Sequence, residues 1–187
     1  GRVDSCLAEI DWIESRRKEM LDFATLIENG TIPCRVTHND TKISNILFDA
    51  NTKEVLCMID LDTVMSATVL NDVGDALRCY TNTGAEDAKD LSTVSMSLEM
   101  FTAYIRGYLS EMGSSLCPAE LDYLAFSGRY ITFEQVLRFL MDYLDGDTYY
   151  KTKYPEHNLV RARAQYRLLQ SMEAQFPQMC EIVSALR

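Results

Sequence analysis

The amino-acid sequence predicts a mainly α-helical domain with a small β-hairpin, an α+β fold. Apolar residues recur at helical spacing through most of the 187 residues, and residue types that favour helix ends flank these segments. The hairpin is predicted from two short apolar runs, residues 46–48 and 55–59, which flank a segment rich in turn-forming residues. No internal repeat or linker interrupts the chain, so we expect residues 1–187 to form a single domain.

The first predicted element is a long helix over residues 5–29. Its apolar side chains follow a 3.6-residue period, and Asp4 or Ser5 can cap its start. The pair Asn29-Gly30 is typical of a helix end. The hairpin comes next, with residues 49–53 as its turn.

The rest of the chain is predicted to be helical with two loops, at residues 84–95 and 146–155. A short helix capped by Asn71 or Asp72 extends to Arg78. The remaining helical segments are residues 97–112, capped by Ser97; residues 118–144, with a candidate break at Ser127-Gly128; and a last stretch from about residue 158, interrupted near Pro177.

The composition disfavours several classes of protein. A formal net charge of −10 argues against binding along a nucleic-acid backbone or to an anionic membrane. The sequence contains no signal peptide and no apolar run of membrane length. Its six cysteines are spread out without a C-x-x-C pair, which argues against a zinc site. We therefore expect reduced, mostly buried thiols in a cytoplasmic protein.

The most informative residues lie at the two ends of the predicted hairpin. Asn45 stands immediately before the first strand, and Asp60 follows the second strand. Because antiparallel strands bring these ends together, we expect the amide and the carboxylate to lie side by side, next to Asp40. The pattern therefore predicts one polar site on the loops that flank the hairpin.

These residue types fit phosphoryl transfer, which depends more on positioning and charge neutralisation than on covalent chemistry. Asp40 can orient an acceptor hydroxyl and take its proton. Asn45 and Asp60 offer the oxygen ligands that Mg²⁺ prefers. Lys42 can face the transferred phosphoryl group, and we expect His38 to support the loop through hydrogen bonds.

The motif His38-x-Asp40-x-x-x-x-Asn45, followed by Ile59-Asp60-Leu61-Asp62, resembles the aminoglycoside phosphotransferase / choline kinase family, a relative of the protein kinases. Four longer segments are similar to its N-acetylhexosamine 1-kinase branch: residues 38–42, 59–65, 72–78 and 138–147. The resemblance covers nearly all of the chain. It implies the C-terminal lobe of a protein-kinase-like phosphotransferase fold.

In activity, the resemblance implies ATP- and Mg²⁺-dependent phosphorylation of the anomeric hydroxyl of an N-acetylhexosamine, a small-molecule acceptor. Asp40 would be the catalytic base, and Asn45 and Asp60 would be the metal ligands. Arg138 and Tyr149 would face the sugar. Arginine donates hydrogen bonds in a fork, and tyrosine offers a ring face with a hydroxyl, so both suit that role.

Several neighbouring polar residues have less specific interpretations. Asp62 is expected to be a second metal ligand or a supporting group, or else a simple turn carboxylate. Asp72 is predicted to be a helix N-cap that bonds the catalytic loop rather than a catalyst. Asp75 and Arg78 are three residues apart on one predicted helix and can pair with each other.

The family's fold has two lobes, and the N-terminal lobe carries the phosphate-covering loop and the lysine that contacts ATP. Before His38 this sequence has a helical pattern in place of a glycine-rich strand–turn–strand. We therefore expect the chain to be the C-terminal lobe alone, an excised piece whose partner is the N-terminal lobe of the same polypeptide. Such a piece should have an open cleft and negligible kinase activity by itself.

Other functions remain open at this point. The acceptor can be another small hydroxyl compound, such as an aminoglycoside, choline or homoserine. The chain can instead be a pseudokinase or a helical interaction module, although the joint presence of Asp40, Asn45 and Asp60 argues against this. A hydrolase is disfavoured because the sequence has no sulfatase-type, Gly-x-Ser-x-Gly or His-Glu-x-x-His motif.

Overall fold

The computed structural model describes residues 1–187 and is mainly helical, as predicted. Six α-helices follow in chain order: α1 Leu7–Glu28, α2 Val69–Tyr80, α3 Leu98–Met112, α4 Pro118–Leu144, α5 His157–Ala174 and α6 Phe176–Leu186. The four short strands are β1 Arg35–Thr37, β2 Ile46–Phe48, β3 Val55–Met58 and β4 Met65–Ala67. None of the helices combines the length and the apolar character needed to cross a lipid bilayer.

Helix α4 lies at the centre of the helical bundle. Helices α2 and α5 pack along it, α6 packs against both α3 and α4, and α3 also contacts α2. Each of these five helices contributes large, fully buried side chains to one core: Leu77, Phe101, Leu124, Leu168 and Met179. Burying an apolar side chain of this size stabilises the fold by roughly 1.5–3 kcal/mol.

Two glycines allow α2 and α4 to approach each other closely. A Cβ atom added to Gly74 would lie 2.5 Å from both the Ser127 carbonyl oxygen and Ile131 Cγ1. A Cβ atom added to Gly128 would lie 3.3 Å from the Leu77 side chain. Helix α4 runs without interruption through Ser127-Gly128, so the candidate break there is wrong. The glycine serves close helix packing, which a sequence pattern does not distinguish from a helix end.

Helix α1 is attached to the bundle through aromatic side chains. The Trp12 ring centroid lies 4.1 Å from that of Tyr166, and the Phe23 centroid lies 4.6 Å from that of Tyr130. Trp12 and Phe23 are buried, whereas most other residues of α1 are exposed or partly exposed to solvent. The helix predicted over residues 5–29 is therefore confirmed.

The strands form two separate two-stranded antiparallel sheets. Strands β2 and β3 make the predicted hairpin, with an irregular register between Leu47 and Phe48. Strands β1 and β4 pair with Val36 opposite Ser66, and this sheet was not predicted. Each strand of this sheet is only three residues long, and the two strands lie far apart in the chain. The sheet therefore leaves little pattern in the sequence. Together the sheets anchor both ends of the loops at residues 38–45 and 59–64.

Helix α2 begins earlier than predicted. Its N-cap is Thr68, whose hydroxyl oxygen accepts a hydrogen bond from Leu70 N–H at 3.2 Å. The assignment of the cap to Asn71 or Asp72 is therefore wrong, and both residues lie inside the helix. The Ser97 cap of α3 is confirmed. The interruption near Pro177 is also confirmed, because α5 and α6 meet at Gln175.

The cysteines are less buried than predicted. Only Cys6 is buried, whereas Cys34, Cys57 and Cys180 are exposed. Cys57 lies on β3, where all four residues are exposed because the hairpin projects from the helical bundle. The prediction of mostly buried thiols is therefore wrong.

Candidate active site

The site is built on the two loops at the base of the hairpin. Ile59 N–H donates to the Asn45 carbonyl oxygen at 2.9 Å, which extends the pairing of β2 with β3 by one step toward the site. His38 Nε2 donates to the Ile59 carbonyl oxygen at 3.1 Å and joins the two loops from the other side. The structure thus brings the segment of Asn45 beside that of Asp60, as the hairpin predicted. His38 makes hydrogen bonds that support the loop.

Asp72 holds the loop at residues 38–45 from the first turn of α2. We name this loop the catalytic loop after the catalytic residues predicted on it. Its two carboxylate oxygens accept hydrogen bonds from His38 N–H at 2.8 Å and Asn39 N–H at 2.6 Å. Its carbonyl oxygen accepts a third bond from the Thr41 hydroxyl at 2.8 Å. Asn39 has a left-handed backbone, with φ of 62°. Asp72 therefore supports the site as expected, although it is not the cap of its helix.

Asp40 is oriented by two donors on one of its oxygens. Oδ2 accepts hydrogen bonds from Lys42 Nζ at 2.5 Å and from Asn45 Nδ2 at 2.9 Å. Asn45 Nδ2 also donates to the Asp40 carbonyl oxygen at 2.9 Å. The other carboxylate oxygen, Oδ1, makes no hydrogen bond within the chain. One oxygen is therefore fixed and the other is free to accept from an incoming hydroxyl.

Lys42 lies between the two carboxylates of the site. Its ammonium is 2.5 Å from Asp40 Oδ2 and 3.9 Å from Asp60 Oδ2. The hydrogen bond to Asp40 raises the pKa of Lys42 above its ordinary value. The side chain therefore stays positively charged at neutral pH and compensates the local negative charge.

The oxygen atoms of Asn45 and Asp60 fit the ligand chemistry of Mg²⁺. Asn45 is buried, and only its Nδ2 makes hydrogen bonds within the chain, so its Oδ1 remains free. The Asp60 side chain is half exposed, and its backbone is left-handed with φ of 66°. No group of three or more His, Cys, Asp or Glu side chains forms a metal cluster in the structure. An ion at Asn45 and Asp60 would thus need water and phosphate oxygens to complete its coordination.

Asp62 is separate from this arrangement. It lies on a 3₁₀ turn at Leu61–Thr63, is exposed and makes no hydrogen bond or ion pair. Asp62 therefore has the surroundings of a solvated turn residue.

Arg138 and Tyr149 are brought together on a second part of the surface. The Arg138 guanidinium carbon lies 6.0 Å from the Tyr149 ring centroid and 5.8 Å from that of Tyr150. All three line an open cavity of about 350 Å³, which we name the aromatic cavity; the remaining lining residues are Met141, Asp142, Asp145 and Thr148. Arg138 makes no hydrogen bond or ion pair with the chain, so its donors are available.

Asp142 holds in place the loop that forms one wall of the aromatic cavity. Its carboxylate accepts hydrogen bonds from the backbone N–H groups of Thr148, Tyr149 and Tyr150 at 2.8–3.0 Å. Burial acts to raise the pKa of Asp142, but these backbone donors outweigh burial and hold the pKa below its ordinary value. The tyrosine-bearing loop is therefore fixed by one ionised carboxylate at the end of α4.

A smaller cavity of about 130 Å³ lies between the catalytic loop and Arg138. We name it the polar cavity, because only one of its lining residues is apolar: Asn39, Asn71, Asp75, Ile131, Glu134, Gln135 and Arg138. The prediction that Asp75 pairs with Arg78 is confirmed, with a distance of 2.7 Å. Three of the lining residues, Asn71, Glu134 and Gln135, belong to no motif of the sequence and were not predicted as site residues. Their only signal is their spacing on α2 and α4 beside Asp75 and Arg138.

Residues 2–94 match the model of the phosphotransferase enzyme family. This span contains the catalytic loop, the hairpin and the first part of the helical bundle. The match supports a kinase-type phosphotransferase and the resemblance to the aminoglycoside phosphotransferase / choline kinase-like family. Arg138 and Tyr149 lie outside the matched residues.

Proposed function

We propose that this chain is the acceptor- and metal-binding lobe of an ATP- and Mg²⁺-dependent small-molecule kinase. The observation that carries the proposal is the free Asp40 Oδ1, held beside the unused Oδ1 of Asn45 and the carboxylate of Asp60. This juxtaposition offers one oxygen for an acceptor hydroxyl and two for a metal ion. A kinase needs these groups next to each other.

In the proposed reaction, the acceptor O–H donates to Asp40 Oδ1. As the acceptor oxygen forms its bond to the γ-phosphorus, the bond from phosphorus to the bridging oxygen of ATP breaks and ADP leaves. The acceptor proton passes to Asp40. Lys42 offsets negative charge at the site, and Mg²⁺, when bound by Asn45 and Asp60, neutralises the charge that develops on the phosphate oxygens.

We propose an N-acetylhexosamine as the acceptor, phosphorylated at its anomeric hydroxyl. The aromatic cavity supports this choice, because the rings of Tyr149 and Tyr150 offer apolar faces to a sugar ring. The unpaired guanidinium of Arg138 offers a fork of donors to hydroxyl or acetamido oxygens. An aminoglycoside, choline or homoserine would use the same catalytic loop, so only the acceptor pocket separates these substrates.

We further propose that an ATP-clamping lobe of the same polypeptide covers the hairpin side of the site. The support is a set of large apolar side chains that are exposed on the strands: Val36, Leu47, Phe48, Val55, Leu56 and Met58. Val36 is 82% exposed, and Val55 and Leu56 are each 62% exposed. Five of these side chains are grouped on the hairpin, and exposed apolar side chains grouped in this way mark a surface that binds another protein element.

The test is phosphate transfer from ATP to N-acetylglucosamine and N-acetylgalactosamine, measured with Mg²⁺ on a polypeptide that contains this chain and its ATP-clamping lobe. Asp40→Asn should lower kcat by at least ~100-fold, because the acceptor hydroxyl loses its proton acceptor. Asp11→Asn, an exposed position on α1, is the matched control and should leave kcat unchanged.

Unchanged kcat in Asp40→Asn would remove Asp40 from its assigned role. Absence of Mg²⁺-dependent nucleotide binding would favour a pseudokinase. The 187-residue chain alone should show negligible transfer, and an ordinary kinase rate from it would refute the proposed need for a second lobe. A panel with an aminoglycoside, choline and homoserine decides between the acceptors.

A further inference from the structure

The polar cavity adjoins both halves of the proposed site. Asn39, the immediate neighbour of Asp40, lines it on the side of the catalytic loop. Arg138 lines it on the opposite side and also lines the aromatic cavity, so the two cavities share one wall. A ligand that occupies both cavities would therefore pass over Arg138 and end beside the catalytic loop.

Several side chains of the polar cavity have hydrogen-bonding atoms that the chain does not use. Asp75 Oδ1 accepts two bonds from Arg78, at 2.7 and 3.1 Å, whereas Asp75 Oδ2 is buried without a partner. Gln135 Nε2 donates to the Tyr150 hydroxyl at 3.3 Å, which leaves Gln135 Oε1 free. The side chain of Asn71 makes no hydrogen bond. The lining of the cavity therefore includes several acceptor atoms that the chain leaves unused, and hydroxyl groups of a ligand would satisfy them.

Glu134 is the clearest unused group. It lies four residues before Arg138 on α4, an order and spacing that favour an ion pair on a helix. The two side chains nevertheless form no ion pair, and the Arg138 guanidinium instead lies over the rings of Tyr149 and Tyr150. The carboxylate of Glu134 therefore remains free at the polar cavity, while Arg138 remains free at the boundary between the cavities.

We infer that the polar cavity binds the hydroxyl groups of the phosphoryl acceptor. Glu134 and Gln135 would accept hydrogen bonds from these hydroxyl groups, and Asn71 would be a further hydrogen-bonding partner. This inference rests on the proposed function. At about 130 Å³ the polar cavity admits one hydroxyl-bearing edge of a sugar, whereas the aromatic cavity, at about 350 Å³, has room for a ring face and a substituent. Arg138 bridges the two parts.

The inference also limits the class of acceptor. Arg78 balances the charge of Asp75, and Glu134 opposes the charge of Arg138, so the polar cavity has no net positive charge to attract an anion. An uncharged polyhydroxylated compound fits this lining. A sugar that already carries a phosphate or carboxylate at this edge would place its charge against Glu134 and is disfavoured relative to the uncharged sugar.

The test is equilibrium binding of N-acetylglucosamine and its 3-, 4- and 6-deoxy derivatives to the 187-residue chain, followed by NMR titration. Glu134→Gln should weaken binding of N-acetylglucosamine about tenfold, because a charged hydrogen-bond acceptor is replaced by a weaker, neutral one. For one deoxy derivative the same substitution should have no effect, since the hydroxyl that Glu134 reads is already absent. Asn71→Ala should also weaken binding. Glu181→Gln, an exposed position on α6, is the matched control.

Equal affinities of the wild type and Glu134→Gln for all four sugars would overturn the inference, and so would the absence of any sugar binding. Glu134 is exposed and makes no hydrogen bond, so this variant should fold, which a circular dichroism spectrum checks. If phosphate transfer from ATP to the sugar occurs at the same rate in Glu134→Gln, the kinase proposal stands and the proposed role of the polar cavity is rejected. Sugar binding to the 187-residue chain with the expected coupling, but no transfer from ATP by the polypeptide that includes the ATP-clamping lobe, would reject the kinase proposal alone.

Discussion

The carboxylate of Asp72 accepts one backbone hydrogen bond on each of its oxygens, from His38 and from Asn39. Neither bond involves a reacting atom, but both fix the loop on which Asp40 is placed. Because Asp72 lies on α2, the geometry of the catalytic loop is determined by the helical bundle. The position of Asp40, the proposed catalytic carboxylate, thus depends on a second carboxylate that has no part in the proposed reaction.

We expect Asp72→Ala to destabilise the chain, since two backbone N–H groups would lose their partner. An unsatisfied buried donor costs about 1–3 kcal/mol. Asp72→Asn keeps one acceptor oxygen and should cost less than Asp72→Ala. The free energy of unfolding in urea measures both effects, and equal stability of the wild type and Asp72→Ala would contradict the assigned role.

At the element scale, the loop at residues 146–155 is attached to α4 through Asp142. The folded pKa of Asp142 is lower than its ordinary value, so its contribution to stability is complete above the unfolded pKa, about 3.9. That contribution is lost as the pH falls through the still lower folded pKa. The loop should therefore keep its structure from pH 8 to pH 5 and loosen only below about pH 4.

The amide NMR signals of Thr148 and Tyr149 report this directly, since both N–H groups bond to Asp142. Asp142→Asn should shift these signals at pH 7. It should also shift the side-chain signals of Arg138, because that side chain lies over the Tyr149 ring. A wild-type transition of the loop near pH 6 would show that another group controls it.

The elements with strong periodicity could be predicted, and those determined by tertiary contacts could not. The hairpin follows from apolar spacing and turn residues, and α3 from apolar spacing and its Ser97 cap. Helix α1 follows from apolar spacing and its Asn29-Gly30 end, but the prediction that Asp4 or Ser5 caps its start is wrong, because its N-cap is Cys6 without a side-chain hydrogen bond. Thr68 and Asn71 are both good cap residues, and which one caps α2 depends on where β4 ends. Likewise, Gly128 favours a helix end by residue type but serves the close approach of α2 to α4.

The same distinction applies to the site. The catalytic loop could be found from the sequence because its residues lie close together in the chain. Glu134 and Gln135 could not, because on a helix they have the pattern of an ordinary solvated face. Only the packing of α4 against α2 places them opposite Asn71 and Asp75, in one cavity.

On the scale of the whole molecule, the helical bundle and the strands differ in burial. The core residues belong to helices and their connections, whereas β3 is exposed along its whole length. A two-stranded hairpin without packing on either face is only marginally stable in water. The chain therefore combines a well-packed helical half, proposed to bind the acceptor, with a weakly supported hairpin on the proposed nucleotide side.

Hydrogen exchange should reveal this difference. We expect the amides of β2 and β3 to exchange faster than those of α4 and α5 in the 187-residue chain. In a polypeptide that includes the proposed ATP-clamping lobe, the hairpin amides should become protected while those of α5 change little. Equal protection of the hairpin in both proteins would show that the lobe does not cover it.

The left-handed backbone at Asp60 limits which residues can replace it. Mg²⁺ would accept a glutamate oxygen as readily as an aspartate oxygen. Side chains with more than a short polar branch, however, are disfavoured in the left-handed region, by roughly 1–2 kcal/mol. Glycine, asparagine and aspartate fit that torsion, and among them only aspartate supplies a charged ligand. The residue at this position is therefore constrained both by the torsion of the chain and by the charge of the proposed ion. Aspartate meets both conditions at the least cost, although a glutamate in this chain, Glu156, adopts the same torsion with φ of 67°.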